Sequence, residues 1–448
     1  MKIIYLIGLF FSCSSVVFAQ DKLLTKDDAI TLALENNFGI KVAKNQVEIS
    51  DNNQGILNSG YLPTLTGSAN ASYNRDDTTV EFPGQLLDNG APRPDINLNK
   101  AEAQRYNSSV NLNYVLFDGM GRMYNYKRLK ETYELSELQA RETIENTLLQ
   151  LFSVYFQVAR LTENSKVLQN VLTISKDRFL RSEYAFEYGQ STKLDILNAQ
   201  VDITNDSIAL LNVKQQLANA KRDLNVVLNE NLNNNFEVDT LIAFIPDLQL
   251  SEYMSEAKQN NVAVLQTEKT LKINEYDIKV NKSGYLPRLA LNGSYGWNLN
   301  QSPASAFFPG TNNTTNNIGL SANLTWNLFD GGSTTVRVKN SKIAYENQEL
   351  VKQQIELEVD RDIQNAKAIY ENRLTIFQIQ EQNVITNQNN FERSKEQFQL
   401  GRISSIEFRQ AQINLLNAST NKNLAKYDAK LAELQLLQLT GQLLNVEF

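Results

Sequence analysis

"SGYLP" occupies residues 59–63 and returns, letter for letter, at 283–287, 224 positions later. It is not alone. "ALENN" (33–37) matches "AKQNN" (257–261) in its alanine and both asparagines at the same interval. "NLNYVLFDG" (111–119) answers "NLTWNLFDG" (323–331), and "RFLRSEYAFEYGQ" (178–190) answers "NFERSKEQFQLGR" (390–402), both now 212 apart. The chain therefore reads as two copies of one domain-sized unit, with an indel of 12 residues between SGYLP and LFDG. The first copy is placed at 20–230 and the second at 251–448, joined by a linker at 231–250.

Within each copy a helical period dominates. Between Gly121 and Gly189 there is neither Pro nor Gly, and apolar residues recur at 144, 148, 151, 155, 158 and 161, a coiled-coil seam. A helix over about 120–185 would be about 100 Å long, too long for a compact domain. The second copy predicts a like rod over 333–400. Gly189 and Gly401 break the rods, and each returns as a helix, 191–230 and 404–440, with Leu424, Tyr427, Leu431 and Leu434 continuing the seam. Shorter helices are expected at about 25–58 and 251–282, before each SGYLP.

Between SGYLP and LFDG the period switches to two. Leu65, Gly67, Ala69, Ala71 and Tyr73 alternate with Thr64, Thr66, Ser68, Asn70 and Ser72; Val110, Leu112, Tyr114 and Leu116 alternate with Ser109, Asn111 and Asn113. In the second copy Leu289, Leu291, Tyr295 and Trp297, then Ile318, Leu320, Leu324, Trp326 and Leu328, face away from Ser, Thr, Asn and Gly. Strands of about ten residues, with one apolar face, one small polar face and aromatics near the ends, carry the signature of a membrane β-barrel. A soluble sandwich would carry Lys and Glu on its wet faces; these faces are almost uncharged.

The hairpins are placed at 62–117 and 286–329, giving four strands per chain. Open edges cannot sit in lipid, so several chains must share one barrel. Two chains would give eight strands and a plugged lumen, three would give twelve and a wider pore. The small residues of the polar faces favour twelve. SGYLP is the junction from helix to strand: Pro63 and Pro287 end the helix, Gly60 and Gly284 permit the bend, and Tyr61 and Tyr285 suit an aromatic belt. LFDG is the reverse junction, with Asp118 and Asp330 as N-caps of the rods and Gly119 and Gly331 in the turn.

The 448 residues carry 43 Lys and Arg against 50 Asp and Glu, a net charge of -7, which gives no basic face for nucleic acid. There is no His, and the one cysteine is Cys13. Residues 1–19 read as a signal peptide: Lys2, an apolar stretch, then Val17-Phe18-Ala19 before Gln20. A lipoprotein would instead keep Cys13 as the acylated residue, but Phe10-Phe11-Ser12 before it is a poor lipobox. No later run reaches the ~18 apolar residues of a membrane helix. Absence of His removes Ser/His pairs, Cys/His pairs and most zinc sites. No catalytic, cofactor-binding or metal-ligating set stands out. A coiled-coil tether spanning the envelope without transport would explain the rods but not the amphipathic hairpins.

The duplicated helix–hairpin–helix order, with GYLP, LFDG and the turns Phe186-x-x-Gly189…Asp195 and Phe398-x-x-Gly401…Glu407, resembles the TolC-like outer membrane efflux protein family over about 22–445. The resemblance implies a mainly α fold with β: a homotrimer with a 12-stranded barrel in outer-membrane lipid and a long periplasmic α-helical barrel. A mixed belt would include 231–250 and the C-terminus. It implies a passive channel, not an enzyme, that exports small molecules (drugs, toxic compounds or metal ions) or proteins. The partners implied are a periplasmic adaptor and an inner-membrane transporter. Asp195 and Glu407 fall where the family places acids at the periplasmic aperture. Where its best-known closed channel has an aperture Tyr, Arg and second Asp, this chain has Phe398, Ile403 and Gln410, with Arg402 next door as the substitute basic residue.

Overall fold

A computed structural model describes residues 22–446; the signal peptide read in residues 1–19, with Cys13, lies outside the described residues. Strand β1 (Lys22–Leu24) leads into helices α1 (Lys26–Asn36) and α2 (Phe38–Gln54). A hairpin of β2 (Thr64–Val80) and β3 (Ile96–Phe117) precedes the rod α3 (Gly121–Glu187) and its return α4 (Lys193–Leu228). Strand β4 (Phe236–Val238) opens the second pass, followed by α5 (Asp247–Ser255), α6 (Ala257–Asn260) and α7 (Val262–Lys282). The hairpin of β5 (Arg288–Ser302) and β6 (Thr311–Thr325), the rod α8 (Ser333–Gln399) and the return α9 (Ser405–Leu439) complete it. Both rods are 67 residues, about 100 Å at the α-helical rise.

Two compact units cut across the duplication. One holds 46–137 and 266–354; the other holds, of the described residues, 22–45, 138–265 and 355–446. The first contains the four strands, all antiparallel, in the order β2-β3-β5-β6. The second contains the main core, where Leu148, Leu151, Tyr155 and Val158 of α3 meet Leu224 and Leu228 of α4 and Leu434 and Leu437 of α9. The seam read from α3 is thus the buried one. In α9 it shifts: Tyr427 and Leu434 are buried, but Leu424 is 40% exposed and the small residues Ala425 and Ala429 face inward instead. The linker is fastened here too. β1 pairs with β4 in parallel, and Tyr155 Oη donates to the Leu24 carbonyl (2.8 Å) while accepting from the Asp239 N–H (3.0 Å).

Three expectations change. The stretch 25–58 is two helices and a 3-10 turn (Ile56–Asn58), not one helix, because Asn37 stops α1 and restarts α2. Its Oδ1 accepts from the N–H groups of Gly39 (2.8 Å) and Ile40 (3.3 Å), and Asn261 does the same for Ala263 (3.0 Å) and Val264 (3.2 Å). The strands run 15 to 22 residues rather than about ten. They continue into what reads as polar loop, where Arg75 faces Glu102 as an opposite-charge cross-strand pair. At the other end β6 stops at Thr325, so Trp326 and Leu328 lie past the strand, and Trp326 Nε1 donates to the Tyr285 carbonyl (3.0 Å).

Candidate functional site

Among the described residues, the strands of the sheet pack mainly on one another. Its register builds continuous rows across all four strands. On one face Leu65, Leu112, Gly293 and Leu320 form one row and Gly67, Val110, Tyr295 and Ile318 the next. Leu65 is 70% exposed, Leu320 76% and Ile318 85%. So much apolar surface in an ordered array needs an apolar environment. The opposite rows are Thr66, Asn111, Ser294 and Gly319, then Asn70, Asn107, Asn298 and Thr315. Their amides and hydroxyls bond one another: Asn113 Nδ2 to Asn292 Oδ1 at 3.0 Å, Ser68 Oγ with Ser109 Oγ at 2.9 Å. The sequence reading assigned these two faces as the register now orders them.

The junction residues sit at the base of the sheet. Gly60 (φ 76°), Gly119 (φ 68°) and Gly331 (φ 70°) are left-handed, whereas Gly284 is not. Gly284 instead lies close to Thr334, which a Cβ would meet at 3.2 Å. Asp118 Oδ2 accepts from the N–H (3.0 Å) and Nε (3.1 Å) of Arg122, whose Nη1 donates to the Gly60 carbonyl (3.0 Å). Asp330 Oδ2 accepts from the N–H (2.8 Å) and hydroxyl (2.6 Å) of Thr334. Both acids cap their rods. Tyr61 packs edge-on against Tyr126 at 6.1 Å beneath the Arg122 guanidinium, while Tyr285 is 46% exposed and bonds Thr335. Pro63 and Pro287 each stand immediately before a strand's first residue, where a missing N–H is tolerated.

At the rod tips the two copies fold alike. Gly189 (φ 72°) and Gly401 (φ 69°) each take the left-handed position after the rod. The next N–H, of Gln190 or Arg402, bonds back to Ala185 (2.7 Å) or Gln397 (2.8 Å). Asp195 and Glu407 then close capping boxes. Asp195 Oδ2 accepts from the Thr192 N–H (3.0 Å) and hydroxyl (2.7 Å) and from Ser191 (3.0 Å); Glu407 Oε2 accepts from the Ser404 N–H (2.8 Å) and hydroxyl (2.8 Å). Backbone N–H donation, from Thr192 and Ser404 respectively, holds both carboxyls below their ordinary range, so both are charged at neutral pH. Phe398 is stacked on Phe408 at 4.9 Å, and Arg402 is exposed. An open groove of about 680 Å³ beside the turns is lined by Tyr184, Tyr188, Asp195, Phe398, Ile403 and Ser404.

Sequence reading missed what lies behind the tips. Arg409 of α9 clamps Asp206 of α4 bidentately (2.7 and 2.8 Å), and Arg178 of α3, 2% exposed, pairs with Asp202. Ser175 donates to Asp206 (2.6 Å), and Gln412 joins through Ser175 and the Val171 carbonyl. Burial pushes the Arg178 guanidinium below its usual value, and Asp202 opposes that. The signal was weak: single charges in polar stretches, at positions where the other copy carries Leu197, Asn390, Asn414 and Ala418. The duplicated asparagines were visible but had no assigned role. Asn37 Nδ2 donates to the Val227 carbonyl (2.9 Å) and Asn261 Nδ2 to Leu439 (2.8 Å), clasping each short helix to the end of a return helix.

A β-sheet built for an apolar surface and two duplicated helical hairpins define an outer-membrane channel subunit rather than a soluble domain. The outer membrane efflux protein family model matches residues 29–230 and 253–442, and the chain belongs to that family. It is thus an outer-membrane protein of the class that serves tripartite efflux. It is 24% identical over 314 residues to outer membrane protein TolC of Vibrio cholerae, covering 69% of this chain and 70% of that one. It is 21% identical over 425 residues to outer membrane efflux protein BepC of Brucella suis, covering 94% and 86%. In fold it is similar to the Campylobacter jejuni CmeC outer membrane channel (TM-score 0.71, 20% identity, 93% and 86% covered). The open-state Neisseria gonorrhoeae MtrE channel gives a TM-score of 0.68 at 17% identity, with 93% and 89% covered.

Proposed function

We propose that three copies close one 12-stranded barrel and work as a passive exit duct for small molecules (drugs, toxic compounds or metal ions) or proteins. Loading would come from a periplasmic adaptor and an inner-membrane transporter, with the long helices in the periplasm. The observation that carries this is the two-faced, two-edged sheet. Along β5 the apolar rows span the ten steps from Leu289 to Leu299, or about 34 Å. At a membrane-barrel tilt of ~40° that gives a band about 26 Å tall, the height of the hydrocarbon layer. The inner rows are small amides and hydroxyls, so three sheets would enclose a wet lumen. No step of export in this reading needs a catalytic group. Asp195 and Glu407 would contribute six carboxylates to the aperture, with Phe398 and Arg402 beside them; the caps that hold the acids also fix their charge.

Planar-bilayer recording of the purified protein tests this. A duct gives long-lived single-channel steps. A correctly folded protein that inserts but never conducts is a tether, and the duct reading fails.

A further inference from the structure

The first hairpin carries the 12 residues that the second lacks, and it uses them at the end away from the rods. β3 pairs with β5 from Phe117 and Leu289 as far as Gln104 and Gln301, but its ladder with β2 runs on to Val80 and Ile96. Residues 96–103 therefore stand past the shared sheet, about 27 Å of strand.

This extension does not keep the faces of the sheet. Asp76 faces Ala101, but the next pair is Thr78 with Leu98, so Asp77 is set against both Asn99 and Lys100 in a bulge. Lys100 is left-handed (φ 59°), and its N–H donates to Asp77 Oδ1 (2.6 Å). One extra residue on β3 moves its side chains to the other face. Below the bulge Leu112 and Val110 lie on the apolar face. Above it Leu98 and Ile96 fall, with Thr78 and Val80, on the face of Asn70 and Asn107. Val80, Ile96 and Leu98 are half-buried, whereas Thr79 and Asn97, on the other face, are exposed and bond each other (2.8 Å). The apolar side of the extension is thus turned to the side that lines the proposed lumen.

The tip is ordered and fastened. The Arg93 N–H donates to the Gln85 carbonyl (2.9 Å) and the Leu87 N–H to the Ala91 carbonyl (2.8 Å). Phe82, 9% exposed, lies under the Arg93 guanidinium at 3.9 Å and meets Phe307 edge-on at 6.1 Å. Phe307 belongs to the loop between β5 and β6, which is drawn in by a turn from Ser305 to Phe308 (2.8 Å). To reach it, the longer hairpin has to lean over the shorter one.

We propose that residues 77–100 form a flap folded inward over the outer mouth of the duct, latched by Phe82 on Phe307, which bars large solutes from entering from outside. The inference rests on the duct reading and adds an outer gate to it. A flap leaning outward would turn Thr79 and Asn97 to its covered side and leave Leu98 and Ile96 uncovered, the reverse of the observed burial.

Thiol labelling on intact cells tests the flap in the full chain with Cys13 replaced by Ala. Asn107→Cys places a thiol on the polar rows below the flap, and Asp88→Cys at the flap's tip reports display at the surface. The probes are a small charged maleimide and a polymer-bearing one. Both should label Asp88→Cys alike, while at Asn107→Cys the polymer reagent should lag far behind the small one. Adding Phe82→Ala removes the ring contact and the cation contact together and should speed the polymer reagent about tenfold, leaving the small one unchanged. A second variant replaces residues 81–95 by an Asn-Gly turn, which closes the paired Val80 and Ile96 directly; it removes the latch outright and should bring the two rates together. Polymer labelling of Asn107→Cys that is the same with the flap, with Phe82→Ala and with the short turn overturns the proposal. If neither reagent reaches Asn107→Cys even in the short-turn variant, while Asp88→Cys labels, the polar rows line no open duct, and the duct reading falls with the flap.

Discussion

Gly119 and Gly331 occupy the same word, LFDG, with nearly the same φ (68° and 70°), yet one is wedged against Ser283 and Leu286 and the other faces open space. The first lies where the two copies of the repeat meet inside the chain. The second lies past β6, an edge strand of the sheet. The same contrast runs up the sheet, since β3 and β5 pair on both sides while β2 and β6 pair on one. The shared-barrel proposal accounts for this contrast: another copy of the same chain would cover the outer junction as the second repeat covers the inner one.

Alanine at the two glycines probes that contrast with the largest effect. Gly119→Ala adds left-handed strain and a clash with backbone, about 3–5 kcal/mol together, and should abolish the folded assembly. Gly331→Ala should cost only the strain, about 1–2 kcal/mol, in an isolated chain but nearly as much as Gly119→Ala in the assembly. Thermal dissociation of both variants, run beside Gly189→Ala as a strain-only control, reads the difference. If Gly331→Ala behaves as Gly189→Ala does, nothing covers that junction.

The buried cluster behind the tips breaks the symmetry of the copies, and Arg409→Ala measures by how much. Removing it leaves Asp206, 4% exposed, without its bidentate partner, a loss of about 3 kcal/mol. Faster amide exchange around 171–206, with the strands unchanged, is the expected result; unchanged exchange there would show that Arg178 and Ser175 suffice.

The asparagine clasps should weaken unequally. Asn261 is 4% exposed and Asn37 only half-buried, so Asn261→Ala should cost about 2 kcal/mol and Asn37→Ala about 1. Equal shifts in denaturation midpoint would argue against burial as the cause.

The smallest effect belongs to the tip acids. Asp195→Asn with Glu407→Gln should reduce cation preference in reversal potentials, and block by a trivalent cation, a few-fold, leaving the assembly intact. Because both carboxyls are held below their ordinary range, the stability their caps confer is present above the unfolded carboxylate value and is lost as pH falls through the lowered folded value. Cation preference should persist in mildly acidic solution and fade only below that range. Unaltered selectivity in the double variant would make the two acids caps alone.

Periodicity made most of this fold legible. The seam from Leu148 to Leu161, the alternation around Leu112 and the duplicated glycine turns are local patterns with a single physical reading. The helix break at Asn37 was less so, because an asparagine inside a helical period acts only when its own side chain caps the next turn. Strand length was underestimated because Arg75 and Glu102 read as loop until the register makes them opposite one another. The tip acids were legible as a matched pair, but their capping role required the turn geometry. The Arg409 cluster was illegible, since its four charges come from three helices that only packing brings together.

The most direct test of a shared barrel is the mass of the protein purified in mild detergent. Three copies per particle, stable to dilution and lost in Gly119→Ala, is the predicted result. A single folded chain that remains in the membrane fraction with β2 and β6 unpaired would contradict it.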